Sequence, residues 1–243
     1  MSGTSEPHIA VFGASGAIGG AFVREILARH PRVYLHAVTR SGAAHEDNRV
    51  HWHRADYRDE TSLGDVAAAI SRHAPIDLAI VATGRLHDAA IRPEKALRDI
   101  SAPALEQLYF ENAVIPALIL KHVGPLLRRD GRAVFAALSA RVGSISDNRL
   151  GGWYGYRASK AALNMLIKTA SIELARRNPE MIVAGLHPGT VDSPLSGPFQ
   201  SGVKPGKLFT PDFAAHKLLD VLDGLQPEDS GHCFAWDGQR VPA

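Results

Sequence analysis

The chain has 243 residues, of which 45% are hydrophobic and 21% charged, with a formal net charge of +2. That composition suits a globular chain with a sizeable core; the mixed charges give no concentrated basic face for nucleic acid, and no apolar run approaches the roughly 20 residues of a membrane span. The single cysteine, Cys233, excludes an internal disulfide framework and fits a reducing, cytoplasmic setting, and the opening MSGTSEPH lacks the basic start and apolar run of a signal peptide.

In chain order, His8 to Phe12 is a short apolar run that turns through glycines into an amphipathic helix from about Ala17 to His30. Arg32–Arg40 reads as a second strand, and RVHWHRADY as a third that ends near Asp56. ETSLGDVAAAISRHAP reads as a helix closed by Pro75. DLAIVATG is almost wholly apolar, as expected of a strand covered on both faces. A long helix is predicted from about Ser101 to Leu127, interrupted in character by Pro103 and Pro116. GRAVFAALS is a fifth strand, Gly143 to Gly152 is irregular, and a helix carrying Tyr156 runs to about Asn178. MIVAGLHPG is a sixth strand, Asp212 to Asp223 a helix and GHCFAWDG a last strand. Strands and helices alternate without linker or repeat, which predicts one α/β domain over 1–243: a Rossmann-type doubly wound parallel sheet of about seven strands with helices on both faces. The segment Val191–Thr210 is long for a loop and suits a lid, and its Leu195, Phe199 and Val203 suggest a moderately apolar ligand.

Gly13, Gly16 and Gly19 lie between the first strand and the first helix. Glycine there permits a tight turn and lets the backbone approach a pyrophosphate seated on the helix N-terminus. A surface turn would use the same residues, but the placement directly after an N-terminal strand favours a dinucleotide. An NAD site usually has a carboxylate at the end of the second strand. Here the end reads Thr39-Arg40-Ser41, so Arg40 could pair with a 2′-phosphate, with Ser15 adding a hydroxyl. NADP(H) is therefore preferred and NAD(H) remains possible.

Tyr156 and Lys160 are four apart and share a helix face. Ionising a free phenol at pH 7 costs roughly 4 kcal/mol, and a nearby ammonium lowers that cost. The spacing alone is weak evidence, since a solvated lysine one turn below a tyrosine is ordinary. In order, however, the chain carries GASGAIG, ADY, VATG, ENAVIP, LSARVG, YRASK and HPGTVDSPL. With these seven pieces it resembles the short-chain dehydrogenase/reductase family over nearly its whole length, and in SARVGSISDN…GGWYGYRASKAALNM more particularly the small carbonyl reductase-like and C-factor-like members.

The resemblance implies roles. Tyr156 would be the general acid or base, and Lys160 would lower its pKa and hold the nicotinamide ribose. Asn112 would support the active-site end of the long helix, and a serine after the fifth strand would hydrogen-bond the substrate oxygen. Gly13, Ser15, Gly16, Ile18 and Gly19 would cradle the phosphates, and Arg40, Asp56, Ala82 and Gly84 the adenosine. Pro188, Gly189, Thr190 and Val191 would hold the carboxamide side. It also implies a homodimer or homotetramer through the long helix and the Tyr156 helix, both of which carry broad apolar faces.

Three departures stand out. Ala17 replaces the middle glycine of the loop; VATG replaces Asn-Asn-Ala-Gly, so Val81 and Ala82 lack two sheet-stabilising side chains; and counting back three from Gly143 lands on Ala140. A one-residue slip along a strand turns a side chain to the opposite face, so Ser139 can serve only if the strand has ended or bulged. Ser139 is preferred for the role and Ser144 comes second. His51 and His53 should share a sheet face, but no further ligands for a metal are evident nearby. His187 is read as packing. The reading is an NADP(H)-dependent oxidoreductase acting on a small-molecule carbonyl or alcohol, reduction being the favoured direction. Its rivals are a dinucleotide-bound sensor or signalling protein with weak or vestigial catalysis, and a dehydratase or epimerase on the same fold.

Overall fold

The computed structural model describes residues 6–42, 47–73 and 75–243. The expectation made for the first five residues, and the position Ala74 just before Pro75, lie outside them. Among the described residues, seven strands run parallel in one sheet: β1 (His8–Phe12), β2 (Tyr34–Thr39), β3 (Val50–Arg54), β4 (Leu78–Val81), β5 (Ala133–Leu138), β6 (Met181–His187) and β9 (Cys233–Ala235). Their order across the sheet is β3-β2-β1-β4-β5-β6-β9, so the chain reverses its direction of travel between β1 and β4. Two short strands, β7 (Thr190–Val191) and β8 (Leu208–Phe209), pair outside it.

Among the described residues there are six α-helices: α1 (Ala17–Arg29), α2 (Glu60–Ile70), α3 (Ala102–Tyr109), α4 (Ile115–Val123), α5 (Tyr154–Ala175) and α6 (Pro211–Gly224). Strand alternation divides the core in two. Ile9, Val11, Leu35, Val134 and Ile182 meet Phe22 and Ile26 of α1 and Leu218 and Leu222 of α6. Ala10, Phe12, Ala79, Phe135 and Val183 meet Leu63 of α2, Ile119 of α4 and Leu163 and Ile167 of α5. Burial on both faces explains why the central strands read as unbroken apolar runs. Each large side chain fully buried here contributes about 1.5–3 kcal/mol.

The long helix predicted from Ser101 to Leu127 is divided. Between α3 and α4 lies one π-helical turn, Phe110–Val114, in which the Ile115 N–H reaches back to the Phe110 carbonyl. Pro116 gives the reason: it has no N–H to offer the Asn112 carbonyl, and its ring would clash there in a regular helix. The helix predicted to run to Pro75 stops at Ile70. The Val191–Thr210 segment is more regular than expected, with β7, β8 and a 3-10 stretch at Gly197–Gly202.

Candidate active site

The C-terminal ends of β1 to β4 open onto a cleft of about 320 Å³. Gly13 leaves β1 with φ +82°, and a Cβ there would lie 3.0 Å from the Ala82 backbone. At Gly19 a Cβ would fall 2.1 Å from the Gly13 carbonyl oxygen, so the loop and α1 can approach only without a side chain. Gly16 caps α1 in an extended conformation, and its N–H donates to the Gly13 carbonyl at 3.0 Å. Ala17 is simply the first helical residue, so the close approach is carried by Gly13, Gly16 and Gly19.

Sequence reasoning missed Tyr57. Its hydroxyl accepts the Gly13 N–H at 2.8 Å and donates to the Val38 carbonyl at 2.9 Å, bracing the glycine loop against β2. Burial pushes this phenol up to about 12, so it keeps its proton. The ADY run contained it, but nothing local shows that its side chain returns to the loop.

Ser15, Arg40, Asp56, Ala82 and Gly84 line the same cleft. Thr39 Oγ1 donates to Ser15 Oγ at 3.0 Å. Arg40 is exposed at the rim, whereas its neighbour Arg58 is held by Glu111 at 2.8 Å. The hydroxyl of Thr83, in the cleft wall, is buried with no hydrogen-bond partner among the described residues. An orphaned polar atom, a glycine-lined approach, the positive end of α1 and a rim arginine at the sheet's switch point fit a dinucleotide.

Ile18, two residues past Gly16, lines a second cavity of about 240 Å³ together with Pro188, Gly189, Thr190 and Val191. Gly189 has φ +76°, and a Cβ there would come within 2.7 Å of the Phe209 ring. Tyr156, Ser139, Ala140 and His187 line this cavity, with Leu195, Phe199 and Val203 supplying apolar wall. Trp153, also in the wall, stands 5.0 Å from Phe199 between ring centroids. It takes φ +53°, the one non-glycine residue with positive φ among those described. Such strain clusters at ligand sites. The buried carboxylate of Glu94 accepts the Gly155 N–H at 3.2 Å, and its backbone carbonyl accepts the Trp153 N–H at 2.6 Å, fixing the start of α5.

Tyr156 is therefore in the first turn of α5, buried, with Lys160 one turn on. Lys160 Nζ donates to the Leu138 carbonyl at 2.7 Å and lies 5.8 Å from the Tyr156 ring centroid. The expected lowering of the phenol by the amine does not dominate: burial pushes Tyr156 up to about 12 and pulls Lys160 down to about 8. Asn112, fully buried in the π turn, donates through Nδ2 to the Arg85 carbonyl (2.8 Å) and to Ser159 Oγ (3.1 Å), and accepts the Arg85 N–H through Oδ1 (2.8 Å). A Cβ at Gly84 would lie 3.2 Å from Asn112 Oδ1 and 3.5 Å from Lys160 Nζ, so these three residues converge.

Of the two serines, Ser139 lines the Tyr156 cavity and Ser144 does not, and both hydroxyls are bonded elsewhere. Ser139 continues the pleat of Ala133, Phe135 and Ala137 toward α5, and its hydroxyl donates to Asn164 at 2.6 Å. Ser144 Oγ accepts the Asp147 N–H at 3.1 Å and reaches the Ala243 carbonyl at 3.3 Å. Ala140 packs with Tyr156 and Leu86 instead. Among the described residues neither serine hydroxyl is bonded to Tyr156.

His51 and His53 do share a face, and His8, His36 and His73 join them. His36 lies between His8 (Nε2 to Nε2, 2.7 Å) and His53 (Nδ1 to Nε2, 2.8 Å). Among the described residues no group of three or more His, Cys, Asp or Glu side chains is arranged to hold a metal ion. Nor is any helix of the described residues long and apolar enough to cross a membrane.

Fold and cleft together define a dinucleotide-binding α/β protein with a buried phenol beside the ligand cleft. The chain belongs to the short-chain dehydrogenase family, whose model matches residues 7–204. It is thus a member of a family of oxidoreductases that bind a nicotinamide cofactor. The C-signal of Myxococcus xanthus is 35% identical over 147 residues, spanning 60% of this chain and 83% of its own. A 1-hydroxy-2-glutathionyl-2-methyl-3-butene dehydrogenase of Rhodococcus sp. (strain AD45) is 36% identical over 129 residues, 52% of this chain and 53% of its own. Among solved structures, the carbonyl reductase Sniffer of D. melanogaster superposes with a TM-score of 0.83 at 20% identity, covering 98% of this chain and 100% of that one. An NADPH-bound carbonyl reductase from chicken fatty liver gives 0.81 at 23%, covering 100% and 96%. At these identities the solved structures establish the fold.

Proposed function

We propose that this protein is an NADP(H)-dependent reductase of small-molecule carbonyls, able to oxidise the corresponding alcohols in reverse. The observation that carries the reading is Tyr156: a buried phenol, pushed up to about 12, lining the same cavity as the Pro188–Val191 segment. At neutral pH it holds its proton, which is the state needed to protonate an alkoxide as it forms. When bound, the nicotinamide supplies or accepts the hydride. The glycine loop would hold the pyrophosphate on the N-terminus of α1. Lys160 would exchange its bond to the Leu138 carbonyl for a ribose hydroxyl, and Asn112 fixes the wall behind it. Arg40, exposed beside Ser15, is the group for a 2′-phosphate, and the NADPH bound by the chicken carbonyl reductase agrees with that choice. The apolar cleft between α4 and α5, about 460 Å³ and lined by Pro116, Leu120, Leu163 and Leu166, supports association through those helices.

The test is NADPH-dependent turnover on a panel of aldehydes and ketones, followed at the nicotinamide absorbance. Oxidation of NADPH in step with alcohol formation is expected; product formation with unchanged absorbance would instead mean a dehydratase or epimerase. One observation favours a second reading, a dinucleotide-bound sensor with weak catalysis: a methyl group, Ala140, stands beside Tyr156 where the family usually has a hydroxyl. Tight NADPH binding without turnover of any panel member would favour it.

A further inference from the structure

Ser139 lines the cavity beside Tyr156, but its hydroxyl is already engaged away from the phenol, on Asn164. Ser144 is committed to the C-terminal segment, and Ala140 offers a methyl. A carbonyl oxygen gathering negative charge is poorly served by one phenol, since removing a single donor from such a site commonly costs about 10²–10³ in rate.

His187 lines the same cavity. Its Nδ1 is enclosed and has no hydrogen-bond partner among the described residues. Burial, reinforced by Arg141 and opposed by Asp237, pulls the imidazole down to about 4, so it is neutral at pH 7 and carries one proton. The two tautomers are not equivalent. A proton on Nδ1 would create an orphaned buried N–H, and buried donors without acceptors are rarer than under-satisfied acceptors. A proton on Nε2 leaves a bare nitrogen inside and gives the cavity an N–H.

We propose that His187, as the neutral Nε2–H tautomer, is the second donor to the substrate's carbonyl oxygen, in the role left vacant by Ala140. This rests on the reductase reading above. It makes His187 a catalytic residue rather than the packing residue the sequence suggested. A neutral imidazole suits the task, because it donates without holding a charge that would bind the ground state as tightly as the transition state.

Two measurements test it. In ¹⁵N NMR of the selectively labelled protein at pH 7, the His187 ring should show protonated Nε2 and bare Nδ1; an Nδ1–H tautomer or an imidazolium overturns the proposal whatever the substrate. In turnover of the best carbonyl from the panel, His187→Phe should lower kcat about 10²-fold with a smaller change in KM. His187→Gln, whose amide can stand near the Nε2 position, should retain most activity. Ala140→Ser should restore at least about tenfold in the His187→Phe background, while circular dichroism shows each variant folded. Full activity in His187→Phe, or no rescue by the serine, refutes the role of His187. Turnover that survives Tyr156→Phe would instead refute the reductase reading itself.

Discussion

Lowering the pH should weaken the fold through His36. This ring is completely buried on β2. It faces His8 from β1, His51 and His53 from β3, and His73 after α2, with Tyr34 beside it. Burial, then the charges its neighbours would carry, pull it from 6.5 down to about 2. The unfolded chain therefore binds a proton between these values that the folded chain refuses, so stability is full above pH 6.5 and is lost as pH falls toward 2. At 1.36 kcal/mol per unit, going from pH 7 to pH 5 crosses about 1.5 units of that window and costs about 2 kcal/mol. Urea unfolding of the cofactor-free protein, followed by far-UV circular dichroism at pH 7, 6 and 5, measures it. Wild type should lose at least this much, since burial lowers His51 and His53 as well. His36→Leu, unable to take up the proton, should start less stable at pH 7 but show a slope shallower by about 1 kcal/mol per unit. Equal slopes for the two proteins would refute the buried, neutral imidazole.

The site makes further predictions. Arg40→Ala should weaken NADPH binding about 10- to 100-fold, the worth of a charge-assisted hydrogen bond, and leave NADH nearly unchanged; equal loss for both by isothermal titration would remove Arg40 from the 2′-phosphate. Gly19→Ala drives a methyl into the Gly13 carbonyl at 2.1 Å, so either the loop shifts and both nucleotides bind at least about tenfold more weakly, or the protein loses about 1–3 kcal/mol of stability. Unchanged binding and melting would show that the loop does not need this glycine. Ser139→Ala should cost about 1 kcal/mol by losing the bond to Asn164 and leave kcat within a few-fold. A 10²-fold drop in kcat would return Ser139 to the role first expected of it.

Local patterns made much of this legible. Apolar runs and amphipathic stretches alternate plainly enough to give the doubly wound sheet, and its glycine loop follows from where Gly13, Gly16 and Gly19 fall. Tyr156 and Lys160 lie one turn apart on α5, as their spacing requires. Effects acting across the chain were hidden. Pro116 marked a break, but the π turn that seats Asn112 depends on which carbonyl loses its partner. Only His51 and His53 could be paired from sequence, because His8, His36 and His73 arrive from two other strands and a turn. Counting from Gly143 located Ala140 correctly. Ser139 follows the end of β5 at Leu138 and lines the Tyr156 cavity, but its bond to Asn164 of α5 is a long-range contact that the local sequence does not reveal. Trp153 was missed although Gly151-Gly152 precedes it, because a positive φ at a tryptophan cannot be read from a glycine pair alone.

The most direct measurement is single-turnover NADPH oxidation by wild type and Tyr156→Phe with the best carbonyl of the panel, paired with NADPH affinity from nucleotide fluorescence. The phenol's role as proton donor predicts unchanged affinity and a rate lowered by at least about 10²-fold. Oxidation at the wild-type rate in the phenylalanine variant would contradict it.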